Sequence, residues 1–285
     1  MNPISRILAP IEFSPRCRGA VHYAEALACH FHSQIVLLHV VSPPAPMYGS
    51  EVMAYSSLDL TGDQEAKAKE LLARFCDGEL DQFDVRRVLF EDDPATGIVH
   101  YAEAEGCNLI VMPTHGYGPF RRFLLGSVTA KVLHDSTVPV WTGPHMEQAP
   151  AVDSISFGKI MAAVDLGPDT CPVLEWASGF ARDFGAELGI VHCIPLTTVR
   201  LGPVFFDPEW RHHIAHTAEE RIHYYLDEHK IKAEVSIEIG EPPAAIRDAT
   251  INWNANVLVI GRGRSGRRTH AYGILRESPC PVAAI

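Results

Sequence analysis

The sequence predicts an α/β protein of two tandem domains, each a doubly wound, five-stranded parallel sheet. Three observations lead there. Blocks of similar sequence recur in the same order about 150 residues apart. Within each copy, short and nearly uninterrupted aliphatic runs alternate with amphipathic stretches. A segment rich in Pro, Gly and Ala, 143–156, separates the copies, and a chain of 285 residues suits two domains of ordinary size. We therefore expect domains at 1–146 and 156–285.

The repeat is legible block by block. Arg6-Ile7-Leu8-Ala9-Pro10-Ile11-Glu12 aligns with Lys159-Ile160-Met161-Ala162-Ala163-Val164-Asp165, and Leu37-Leu38-His39-Val40-Val41 with Ile190-Val191-His192-Cys193-Ile194, both at an offset of 153. Asp93-Pro94-Ala95 and Leu109-Ile110-Val111-Met112 recur at an offset of 148, and Val138-Pro139-Val140 at 142. Small deletions in the second copy account for both shifts.

In the first copy, strands are expected at 6–12, 35–41, 84–91, 108–113 and 138–142. Their continuous apolar character is that of parallel strands covered by helices on both faces. Helices are expected near 15–32, 62–80, 94–105 and 127–135. Ala20, Ala24, Leu27 and Phe31 fall on one helical face. Ser14-Pro15 reads as a cap followed by a first-turn proline, and Pro94 and Ser127 mark similar starts. Right-handed βαβ crossovers then give an open sheet whose ligands bind at the carboxyl ends of the strands.

Composition narrows the function. The chain is 47% hydrophobic and 21% charged, with a formal net charge of -11. That balance argues against nucleic acid or an anionic membrane surface as partner, since both need a basic footprint. No apolar stretch approaches a membrane span, and the opening residues carry no secretory pattern, so a cytoplasmic protein is expected. The seven cysteines are scattered and never spaced C-x-x-C, which reads as small core residues rather than disulfides or a zinc ribbon.

After the fourth strand comes Pro113-Thr114-His115-Gly116-Tyr117-Gly118, and then a segment ending in Gly126-Ser127 at the start of a helix-like run. Glycines allow close backbone approach, and a helix start offers N–H groups and a favourable dipole to an anion. The Ser127 hydroxyl could serve a phosphate or the helix itself.

The spacing Gly116-x9-Gly126-Ser127 resembles the loop G-x2-G-x9-G-[ST] of the universal stress proteins. Ala9-Pro10-Ile11-Glu12-Phe13-Ser14, Leu38-His39-Val40, Asp93-Pro94-Ala95 and Val138-Pro139-Val140 are similar to that family too, and the resemblance runs through the chain twice. It implies a Rossmann-like fold of the adenine nucleotide alpha hydrolase type, with the two copies paired as a pseudo-dimer through their last strands and a homodimer possible beyond that. It also implies ATP or a related adenine nucleotide, carried with magnesium, and a protein partner whose identity is unknown. Adenine is then expected near Pro10, Ile11, Glu12 and Val40, and the ribose and phosphates along Met112, Gly116, Gly126, Ser127 and Val128. The chain departs from the family pattern at Pro113, where the first glycine is replaced and an N–H is lost, and at Glu12, which stands where Asp is usual.

The second copy keeps Asp165, but its loop is six residues shorter and Arg268-Thr269 replaces the Gly-Ser step. Triphosphate binding is therefore not expected there. Arg262, Arg264, Arg267 and Arg268 offer guanidiniums to an anion, though a solvated loop paired with acidic neighbours is the simpler reading. His212 and His216 sit at metal-bridging spacing with His213 beside them, yet no third ligand is fixed and solvated helix-face histidines are preferred. His39 and His192 are expected to be strand-end residues with a hydrogen-bond partner. No nucleophile elbow, Walker loop or G-x-G-x-x-G follows the strands, so no catalytic residue is assigned. The expected function is a nucleotide-binding regulatory module, in which ligand orders the loop 114–127. A weak ATP hydrolase or phosphotransfer enzyme, and a scaffold that binds no nucleotide, remain as alternatives.

Overall fold

The computed structural model describes residues 4–43, 65–115, 125–143, 146, 150–195, 208–263 and 268–285. The chain divides into two compact units. One takes in Asn2–Val140 and Met146–Ile155, the other Trp141–His145 and Ser156–Ile285.

In the first unit the elements alternate as expected: β1 (Arg6–Pro10), α1 (Pro15–Phe31), β2 (Gln34–Val41), α2 (65–74), β3 (Val85–Glu91), α3 (Pro94–Ala104), β4 (Leu109–Val111) and α4 (Ser127–Asp135), followed by β5 (Val140–Thr142), of which Val140 is counted with this unit and Trp141 and Thr142 with the other. The strand order is β3-β2-β1-β4-β5. β1 pairs in parallel with β2 from Arg6↔Gln34 to Pro10↔Leu38, and with β4 at Ile7↔Leu109 and Leu8↔Ile110. Ile7, Leu8 and Ala9 are completely buried, which is why this strand has no polar alternation.

The helix ends depart from expectation in three places. Ser14 precedes α1, but its hydroxyl makes no cap; it donates instead to Glu12 Oε1 at 2.8 Å. Ser127 is the first residue of α4 rather than its cap, a position held by Gly126 in extended conformation. The helix expected over 62–80 ends at 74, and the chain then turns through Cys76 and Gly78, both with positive φ. At α3 the start is as read: Asp93 accepts from the Thr96 N–H at 3.1 Å and Pro94 follows.

The second unit repeats the plan with β6 (Lys159–Val164), α5 (Thr170–Phe184), β7 (Glu187–Pro195), α6 (Pro208–His229), β8 (Glu234–Gly240), α7 (Pro242–Asn252), β9 (Val257–Ile260), α8 (Arg268–Glu277) and β10 (Val282–Ala284), ordered β10-β9-β6-β7-β8. Parallel pairs join β6 to β7, β6 to β9, β7 to β8 and β9 to β10. An aromatic cluster fills the face under α5: Trp176 stacks on Phe180 at 4.9 Å, and Phe157 and Phe184 pack on Phe180 at 5.7 and 4.7 Å.

All seven cysteines are free, and five of them are buried. Burial raises the thiol pKa of Cys76, Cys107 and Cys193 to about 11 and of Cys280 to about 12, so they act as small apolar residues. No described helix is long and apolar enough to cross a membrane.

Helices α3 and α4 are tied at their exposed faces by Lys131, which donates to Asp93 Oδ1 at 3.0 Å and to Thr96 at 2.9 Å. The ammonium, with the Thr96 donors, holds the Asp93 carboxyl down at about 2. Its contribution is therefore complete above the ordinary carboxylate range and is lost as pH falls toward 2. Lys131→Ala is expected to raise the Asp93 titration midpoint, followed by carboxyl NMR, while leaving it below the ordinary value because the Thr96 cap remains. An unchanged midpoint would show that the ammonium does not act on this group.

Candidate functional site

The reversal of strand order places a crevice at the carboxyl end of β1, between the segments that leave β1 and β4. The pairing of β1 with β2 continues one residue beyond the strand, where the Ile11 N–H donates to the Leu38 carbonyl at 2.7 Å. Phe13 then takes a left-handed conformation, φ 64°, and swings the chain into α1. His39 Nδ1 donates to the Ile11 carbonyl at 2.6 Å, and the Phe13 ring lies 4.5 Å from the imidazole. That bond makes His39 the strand-end histidine expected from sequence. Glu12 is held twice: its carboxylate accepts from Ser14, and its N–H donates to Cys17 Sγ at 3.3 Å. Cys17 is buried, and burial raises its pKa, so the group beside Glu12 is a thiol.

The opposite wall is built by the chain leaving β4. Thr129 donates to the Pro113 carbonyl at 3.0 Å, and the Gly126 N–H donates to the Thr114 carbonyl at 2.8 Å. These bonds close the loop at its base and set the start of α4. A Cβ on Gly126 would stand 3.1 Å from His115 Cα, so this close approach accounts for glycine there. The Ala130 N–H is the first to be satisfied within the helix, by Gly126. The amides of Ser127, Val128 and Thr129 are first-turn donors of the kind that serve an anion.

Between these walls lies a cleft of about 360 Å3. Of the residues expected to contact a nucleotide, Pro10, Ile11, Glu12, Val40, Met112, Gly126, Ser127 and Val128 all line it. Gly116 lies outside the described residues. The cleft also contains His115, and with it Cys17, His39 and Ile98, which sequence reasoning did not assign to it. For His39 a signal existed: the Leu-His-Val block recurs in the second copy as Val191-His192-Cys193.

The second unit has its own cleft, of about 500 Å3, at the matching position. His192 Nδ1 donates to the Val164 carbonyl at 2.8 Å, as His39 does to Ile11, and Leu166 repeats the left-handed turn of Phe13 at φ 57°. Asp165, Asp169, Thr170 and His270 line this cleft with Gly261 and Gly263. Arg264 and Arg267 lie outside the described residues. On α6 the His212 and His216 rings are parallel with centroids 6.5 Å apart, and His216 pairs with Glu220 at 3.4 Å. Among the described residues, no group of three or more His, Cys, Asp or Glu could hold a metal ion.

The model of the universal stress protein family matches residues 3–142 and again 156–285. A universal stress protein of Methanocaldococcus jannaschii is 26% identical over 148 residues, spanning 47% of this chain and 91% of that one. One from Mycolicibacterium smegmatis is 26% identical over 189 residues, 65% of this chain and 60% of its own. Among solved structures, a universal stress protein from Archaeoglobus fulgidus superposes with a TM-score of 0.66 at 22% identity, covering 98% of this chain and 95% of that one.

Burial pushes the His192 imidazole below its ordinary pKa of 6.5, against a smaller opposing effect from the Val164 carbonyl. Its unfolded form takes up a proton that the folded form refuses, so stability falls as pH drops below about 6.5. Imidazole NMR is expected to show His192 titrating below that value. A midpoint above it would contradict the buried, neutral assignment.

Proposed function

The chain belongs to the universal stress protein family, and we propose that its first unit is a regulatory module that binds ATP or a related adenine nucleotide in a cytoplasmic stress response. One observation carries this reading. The end of β1, the end of β2 and the start of α4 converge on a single cleft of about 360 Å3.

The chemistry of its two ends suits such a ligand. At the sheet end, Ile11, Val40, Ile98 and Met112 offer apolar surface to a flat base, and the Glu12 carboxylate, oriented by Ser14, accepts from an amino group. At the other end, the first-turn amides of α4 face the region where phosphates would lie, aided by the helix dipole. Pro113 brings no N–H to this cradle, so more of the load falls on Ser127 and Val128. Magnesium would arrive on the phosphates. Nucleotide occupancy then acts by population shift, favouring one state of the surface presented to a protein partner.

The reading is tested by calorimetric titration of ATP and ADP into the full chain, with and without magnesium, beside the variant Ser127→Pro. Proline is well suited to the first position of a helix, and the extended Gly126 before it is compatible, so the fold is expected to persist with an unchanged Tm. The variant removes one N–H and one hydroxyl from the phosphate end. Losing a hydrogen bond to a charged group costs about 1.5–3 kcal/mol, hence a fall in affinity of roughly ten- to a hundredfold. No heat with wild-type protein would overturn the reading. Equal affinity in the variant would overturn the placement of the phosphates.

A further inference from the structure

Met146–Ile155 is the last stretch of the first unit before the chain enters the second copy. Its described residues, 146 and 150–155, meet α1. Met146 is buried, and a Cβ on Gly19 would collide with its carbonyl, so α1 carries glycine where this backbone crosses it. One helical turn on, His22 Nδ1 lies 2.7 Å from the Pro150 carbonyl oxygen. A short 3-10 turn, Val152–Ser154, follows and packs on the same helix. On the other side of the ring, His22 Nε2 lies 3.3 Å from Glu79 Oε2, in the turn that follows α2. The second Glu79 oxygen pairs with Arg18 Nη1 at 3.3 Å, and Arg87 steadies that turn by donating to the Leu72 and Phe75 carbonyls.

Both partners of this imidazole are oxygen acceptors. A neutral ring has one N–H and serves one of them, turning a lone pair toward the other, whereas an imidazolium donates to both. Among the described residues, the titratable and charged groups around the ring are Arg18 and Glu25 on α1, Cys76 and Glu79 in the turn, Arg87 on β3 and Asp153 beside Pro150. Burial pushes the Glu25 carboxyl above its ordinary value; the nearby His22 opposes this, and Glu79 and Asp153 add to it. Docking of the segment therefore favours a protonated Glu25 and weakens as pH rises and this carboxyl ionises beside Asp153 and Glu79. Burial holds Cys76 as a neutral thiol, its pKa about 11. Loss of a proton from either His22 or Glu25 thus acts in the same direction.

We propose that His22 is a proton-operated latch on the segment between the two copies: the imidazolium ties Pro150 to Glu79 across α1, and the neutral ring keeps only one of those ties. The segment 150–155 is then held most firmly in acid and loosens as the ring gives its proton to solvent. The latch is separate from both clefts, since neither His22 nor the residues it binds line them. It is independent of the nucleotide proposed for the first unit.

The test is amide and imidazole NMR of the full chain from about pH 5 to about pH 8, the span in which histidine changes charge. The Ala151 N–H belongs to the peptide group whose carbonyl His22 binds, so its shift is expected to follow the titration of the His22 ring. The Ser154 and Ile155 amides donate to Ala151 and Val152. Their hydrogen-exchange protection, corrected for the intrinsic rate, is expected to fall about two- to fivefold across that span, the size of a partly exposed ion-pair tie. The Ala130 amide at the start of α4 is expected to keep its protection throughout. His22→Gln is expected to abolish the Ala151 step, and adding Glu25→Gln to level the protection at Ser154 and Ile155, with Tm at the alkaline end unchanged. An Ala151 amide that stays still while the wild-type His22 ring titrates would overturn the inference. So would wild-type protection at Ser154 and Ile155 that holds level or rises with pH, and neither reading needs a variant. A step at Ala151 that survives His22→Gln would overturn it equally.

Discussion

In each unit the order of the parallel strands reverses at one strand, which is hydrogen-bonded to a parallel neighbour on either side. β1 lies between β2 and β4, and β6 between β7 and β9. Every residue of these strands from the second onward is buried, so neither can shift register without exposing apolar surface to water. Their carboxyl ends are consequently fixed points, and the crevice that opens beside each has walls set by backbone pairing. Side chains in the clefts can diverge while the cleft itself persists.

That division explains how one scaffold carries two unlike sites. Both units keep the histidine that ties β2 or β7 to the carbonyl of the residue before the acidic position, and both keep the left-handed turn after it. These features hold the strand end in shape. The acidic position and its neighbours differ in chemistry: Glu12 is supported by Ser14 and Cys17 in the first unit, whereas Asp165 is accompanied by Gly167, Asp169 and Thr170 in the second. Both clefts are bordered by the first turn of a helix, α4 in the first unit and α8 in the second, and the second adds the Asp169 carboxylate, which accepts the Gly263 N–H.

Much of the fold is legible in the sequence because the strongest signals there are local. Continuous aliphatic runs mark buried parallel strands, and prolines mark helix starts. The placement of Pro10, Ile11, Glu12 and Val40 beside Gly126 and Ser127 follows once the strands are taken as parallel, since their carboxyl ends then share one edge of the sheet. Other features depend on geometry that spacing does not encode. Ser14 has the sequence of a helix cap, but the neighbouring carboxylate competes for its hydroxyl and wins. The apolar pattern of the second helix continues through Cys76 and Leu80, which are buried by the turn rather than by helix, so periodicity overstates its length. The role of Asp169 is hidden from sequence because its partner, Gly263, lies 94 residues away.

The central claim is that a nucleotide engages the first turn of α4 together with the end of β2, and that the start of α8 takes no part. Backbone amide NMR of the full chain during ATP titration tests it most directly. The account predicts saturable shifts at Ser127 and Val128, accompanied by Val40, while the amides of the first turn of α8 stay in place. Shifts confined to α8, or none anywhere at millimolar ATP, would contradict it.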